Sequence, residues 1–152
     1  MAKGDRVGAD QEVVRYARPS DFDEGVLSGS AFDRNAKDYD GVSVCRLGVF
    51  SANLDEDLDS IRAVLGAWRS LKKNGRLAQI SVQDIEAVGS EVRQVLVVVE
   101  DEIASAEDKP ANPAHALIEG LPFIGGAAAD LASDLLRRKV SALHEAVLDA
   151  QR

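Results

Sequence analysis

The stretch NLDEDLDSIRAVLGAWRSLKKNG at residues 53–75, followed at once by RLAQI at 76–80, decides the fold. Asn53 is a good helix cap, and Glu56 stands three residues on, where its side chain can reach back to the cap's N–H. Asp55, Glu56 and Asp57 then occupy the positive end of the helix dipole. Leu54, Leu58, Ile61, Leu65 and Trp68 recur at helical spacing and make one apolar stripe. Lys72 and Lys73 suit the negative end, and Asn74-Gly75 supplies a stop. Immediately afterwards Arg76 to Ile80 reads as a strand, so a long amphipathic helix hands over directly to a sheet.

Working outward, Ser81 can cap a short helix through Val82, Ile85 and Val88 that closes at Gly89. Residues 94–100 contain an unbroken run of Val and Leu, the pattern of a strand buried on both faces and covered by helices. Upstream, Val13, Val14 and Tyr16 give a strand that stops before Pro19. Asp40-Gly41 is a turn that launches a second strand at 42–47. Downstream, His115 to Ile118 gives another strand, closed by Gly120 and Pro122. Gly125-Gly126 then opens a long C-terminal helix with Leu131, Leu135, Val140, Leu143 and Val147 inward and His144 on its surface. The order predicts an α+β fold, a small mixed sheet of about four to five strands packed against two main helices. Residues 1–11 are polar and without period, a flexible tail; residues 12–152 form a single domain.

Composition narrows the functional classes. The chain of 152 residues is large enough to bury its own core, and with aromatics at 5% that core must be aliphatic. A net charge of −8 opposes nucleic acid and anionic membranes and suits a basic protein partner. A single cysteine, Cys45, excludes an intrachain disulfide. Neither a membrane span of about 20 apolar residues nor a signal peptide can be read, so the expectation is a small bacterial protein of the cytoplasm.

Several side chains could carry chemistry. His115, in Asn112-Pro113-Ala114-His115-Ala116, is a candidate acid/base with Asp108 as orienting carboxylate. Arg15 and Arg18 flank Tyr16 and could clamp a phosphate near His115. Ser28 and Ser30 could join His115 in a triad, but the Gly-x-Ser-x-Gly elbow is absent. Cys45 could pair with His115 as a thiolate, although a cysteine among Val and Leu more often packs as a small apolar group. The glycines 120, 125 and 126 lack the lysine and hydroxyl of a phosphate loop and read as turn residues. Residues 20–41 are an irregular, acidic segment in which Phe22, Asp23 and Phe32 are candidate partner-binding residues. The acids at 21, 23, 24, 38 and 40 match no calcium-loop pattern, and neither a metal nor a cofactor is expected. Arg69, Lys72, Lys73 and Arg76 form a basic cluster that the helix dipole explains.

The expectation is therefore a non-catalytic protein that binds another protein in a multi-component system. The alternative is a small enzyme acting on a nucleotide or phosphate ester with His115 as acid/base. A homodimer joined by the last helix is a third form.

Overall fold

The computed structural model describes residues 4–148. The strands are β1 (Glu12–Ala17), β2 (Phe22–Asp23), β3 (Val26–Leu27), β4 (Val42–Arg46), β5 (Arg76–Ser81), β6 (Val97–Glu100), β7 (His115–Glu119) and β8 (Ala142–Glu145). The helices are α1 (Leu54–Trp68), α2 (Val82–Val92) and α3 (Ala127–Arg138). Six strands form one sheet in the order β6-β7-β4-β1-β5-β8, while β2 and β3 make a separate hairpin. The fold is α+β, but every neighbouring pair in the sheet is antiparallel, where a mixed sheet was expected. Each helix carries the chain between two strands that run the same way without being neighbours, a connection no tight turn can make.

Alternation along the strands sends side chains to two cores. Val13 and Ala17 of β1, Val42 and Val44 of β4, and Ala116 and Ile118 of β7 join α2 and α3 on one face. Val14, Tyr16, Cys45 and Leu77 join Leu58 and Ile61 of α1 on the other. Helices therefore cover both faces; among the described residues the short helix read after Ser81 is α2, and it shares one side with α3.

Half of the predicted cap of α1 forms: Asn53 Oδ1 accepts from the Glu56 N–H at 3.0 Å, but the Asn53 N–H donates to Ser51 Oγ at 3.1 Å and the Glu56 carboxylate accepts from the Ser51 hydroxyl at 3.0 Å. The cap of α2 forms, with Ser81 Oγ accepting from Asp84 at 3.0 Å. Asp57 goes beyond the dipole role. It is buried, and its carboxylate accepts from the N–H groups of Gly48, Phe50 and Ser51, which fastens the loop before α1.

Other expectations are corrected. α1 ends at Trp68, before Lys72 and Asn74-Gly75, because Arg69 turns extended and Trp68 Nε1 donates to the Pro110 carbonyl at 2.7 Å. The C-terminal helix is shorter than predicted; α3 stops at Arg138, and 142–145 become β8. Leu143 is consequently exposed rather than inward. The residues at 142–145 suit either period, and the open edge of β5 decides, pairing Arg76 with Glu145 through Gln79 with Ala142. The strand at 97–100 buries Val98 and Val99 as its apolar run predicts, although it lies at the edge of the sheet. Residues 4–7, read as tail, run along that edge: Gly4 N–H bonds Glu100 O at 2.7 Å, Val7 N–H bonds Val98 O at 2.8 Å, and the Val7 side chain is buried. A covered edge has fewer free groups for unwanted strand pairing. No helix among the described residues is long and apolar enough to cross a membrane.

Candidate functional site

His115 opens β7 and points to the α1 face, since its neighbours Ala116 and Ile118 serve the opposite core. Its Nδ1 lies 2.8 Å from the Asp101 carbonyl and 3.2 Å from Asp101 Oδ2. A carbonyl can only accept, so Nδ1 carries the hydrogen in this arrangement. Nε2 is then left as an acceptor, 3.1 Å from Ser43 Oγ. Serine, imidazole and carboxylate thus stand in the order a hydroxyl-activating relay requires. The partners are Ser43 and Asp101, neither Ser28 nor Ser30 nor Asp108. Sequence distance hid them, because β4 and the β6–β7 connection meet His115 only through pairing in the sheet.

The surroundings limit what this relay can do. The hollow in front of it, lined by Val14, Tyr16, Ser43, Cys45, Leu65 and His115, holds about 30 Å³. That admits a water molecule and little more. Cys45 shares this hollow, but burial pushes its thiol up to about 11, and Asn112 Nδ2 donates to its sulfur at 3.6 Å. It is a packed thiol at neutral pH, without the thiolate that a cysteine–histidine pair needs.

The two arginines expected beside His115 are held elsewhere. Arg15 alternates with Val13 and Ala17 on the α2–α3 face, where Nε bonds Ala31 O at 2.8 Å and Nη1 bonds Ser43 O at 2.7 Å. Burial lowers its guanidinium to about 10, so it stays charged at neutral pH, but its donors face main-chain carbonyls. Arg18 pairs with Asp21 at 3.4 Å and is half exposed. Across Tyr16 from the His115 hollow lies a larger one, of about 370 Å³, lined by Tyr16, Arg18, Pro19, Ser20, Arg69, Ser70 and Lys72. Arg18 meets Arg69 and Lys72 of the basic cluster here.

The irregular segment is ordered by its own polar groups. Asp21 is buried and accepts from the Arg18 N–H at 2.8 Å and from Ser30 Oγ at 2.8 Å, while Ser28 Oγ donates to Asp21 O. These bonds absorb both serines. Phe32 is wholly buried in the α2–α3 core, so its side chain offers no surface to a partner. Gly29 makes that burial possible, because a Cβ there would lie 3.1 Å from the α3 backbone at Ser133 and Asp134. Phe22 is half-buried against the same core, and Asp23 is exposed beside the hairpin turn.

A different set of apolar side chains reaches the surface, gathered by Arg34. Its Nε donates to Asp38 O at 2.9 Å, Nη1 to Leu121 O at 2.8 Å, and Nη2 to Tyr39 O. The guanidinium lies 4.1 Å from the centre of the Phe123 ring. Ile124 N–H bonds Arg34 O at 3.0 Å. One side chain therefore ties residues 38–39 to residues 121 and 123, its carbonyl holds Ile124, and Tyr39, Phe123 and Ile124 stand 80%, 45% and 48% exposed. Sequence reading passed over this cluster because the targets of Arg34 are carbonyls, which carry no residue signature. Among the described residues no group of His, Cys, Asp and Glu is placed to hold a metal.

No protein-family model matches the chain, and no curated protein or solved structure is detectably similar to it.

Proposed function

We propose that this protein acts by binding another protein, through the face that Arg34 assembles from Tyr39, Phe123 and Ile124. The observation that carries the reading is the clamp itself: an arginine bonded to three carbonyls and stacked on Phe123 joins two loops that leave Tyr39, Phe123 and Ile124 exposed. Tyr and Arg at a rigid surface position are the residue types that dominate binding energy, and prior ordering lowers the entropy lost on docking. Asp33, Asp38 and Asp40 lie in the same segment, within a chain of net charge −8, so the partner's complementary face is basic. Phe22 and Asp23 belong to the neighbouring hairpin and extend this acidic region; Phe32 has no part in it. The test is recovery of partners by the tagged full-length chain at native abundance, compared with a Tyr39→Ser/Phe123→Ser variant. A partner held by the wild type and by Glu91→Lys but lost by the double variant is expected. Identical recovery with and without the two aromatics would end the proposal.

A second reading, the small enzyme acting on a phosphate ester, is favoured by one observation: the Asp101 carbonyl leaves His115 Nε2 free to accept the Ser43 proton. It expects slow turnover across a panel of nucleotides and phosphomonoesters, abolished by His115→Gln. No turnover by the wild type removes it.

A further inference from the structure

We propose that the hollow between Tyr16, Arg18, Arg69 and Lys72 is a binding site for a small organic dianion, a phosphomonoester carrying a planar or apolar group. The inference is independent of the protein-binding face and would survive its failure. At about 370 Å³ the hollow is of the size that takes small ligands. Three of its lining residues are cationic and none is acidic. That bias stands out in a chain with 26 acidic residues against 18 basic ones. Among the described residues, neither Arg69 nor Lys72 has an ion-pair partner, and Arg18, though paired with Asp21, keeps half of its side chain in solvent.

The helix dipole alone accounts for cations after α1, but not for this gathering. Arg18 comes from β1's exit, 51 positions before Arg69 in the chain. The floor between them is fixed: Tyr16 OH accepts from the Lys72 N–H at 2.8 Å, and the Arg69 guanidinium lies 4.8 Å from the centre of the Tyr16 ring. Gly75 packs so closely that a Cβ there would sit 2.6 Å from Tyr16 Cε1. The ring is buried and its hydroxyl is bonded to the Lys72 N–H, which holds it between Arg18 and Arg69. The Arg69 guanidinium can offer a fork of donors to a phosphate, Arg18 adds charge and the Nη1 donors not turned to Asp21, Lys72 adds a point charge, and Ser20 and Ser70 supply hydroxyls at the rim. Tyr16 and Pro19 give the apolar wall on which the organic part would rest.

The experiment is an amide NMR titration of the full-length protein with phenyl phosphate, alongside inorganic phosphate and phenol. The expected result is saturable shifts confined to residues 16–20 and 69–72, weaker with inorganic phosphate and absent with phenol. Arg69→Ala/Lys72→Ala should weaken binding at least about tenfold, a loss of roughly 1.4 kcal/mol. Lys73→Ala, just outside the hollow, should leave it unchanged and so excludes a general charge effect. No saturable shift at about 10 mM ligand, beyond the reach of even a millimolar site, overturns the proposal. Equal shifts in the double variant overturn it too, as does binding to vesicles containing phosphatidic acid without any response to phenyl phosphate.

Discussion

Replacing Arg34 with methionine keeps the aliphatic stem and removes every donor that gathers the exposed face. Three hydrogen bonds are lost, to the carbonyls of Asp38, Leu121 and Tyr39. These sites are partly wet, so water replaces the donor and each loss costs about 1 kcal/mol, the usual net value. Loss of the cation–π contact with Phe123 adds roughly 0.5–1 kcal/mol at an exposed site. Freeing a long side chain that was held in place returns about 1.5–2 kcal/mol of entropy. The balance is a destabilisation of about 2 kcal/mol, or about 4–8 °C in the melting temperature of a chain this size. Arg34→Lys should recover less than half, because one ammonium cannot span three divergent carbonyls. Thermal melts give the global figure, and hydrogen exchange locates it. The amides of residues 35–40 and 121–123 should exchange faster while those of β1 and β4 hold. The Ile124 amide is an internal control, since its bond to Arg34 O does not use the guanidinium. A melting point within about 1 °C of wild type, with exchange unchanged in both loops, would refute the claim that Arg34 assembles this face.

Three further outcomes follow from the packing and charge environments. Phe32→Ala should cost about 3–5 kcal/mol in urea unfolding, as expected for emptying a fully buried aromatic site, and a cost under about 1 kcal/mol would contradict its place in the core. Cys45, raised to about 11 by burial, should resist iodoacetamide at pH 8 until the protein unfolds; complete labelling within minutes under native conditions would contradict that environment. Burial lowers the pKa of His144 below its ordinary value, so the folded chain holds its proton less tightly than the unfolded one. Stability should then fall as pH drops through and below the ordinary histidine value, and the decline should be shallower in His144→Gln; a parallel decline would show that His144 contributes nothing to it.

Local chemistry was the legible part of this chain. Asn53 and Ser81 cap their helices because a cap needs only the next three residues, and β1, β4, β5 and β7 fall where Val, Ile and Tyr cluster. What sequence reading missed depends on distant segments. The 142–145 stretch fits a helical stripe with Leu135 and Val140, and only the open edge of β5 makes it a strand. Phe32 sits among Asp, Ser and Gly, which suggests a surface position, yet Gly29 lets α3 close over it. Ser43, Asp101 and His115 are scattered along the chain and become neighbours only when β4 and β7 pair with Cys45 opposite His115. Arg18 and Arg69 were each readable as cations, but the hollow they share was not, since Tyr16 forms its floor by bonding to a backbone N–H 56 residues away.

The role assigned to the exposed face is tested most directly by photo-crosslinking in the native host, with a benzophenone amino acid in place of Tyr39 and, separately, of Glu91. The account predicts one dominant adduct with a basic protein from position 39 and none from position 91. No adduct at 39, the same products at both positions, or only a crosslinked pair of this chain would contradict it.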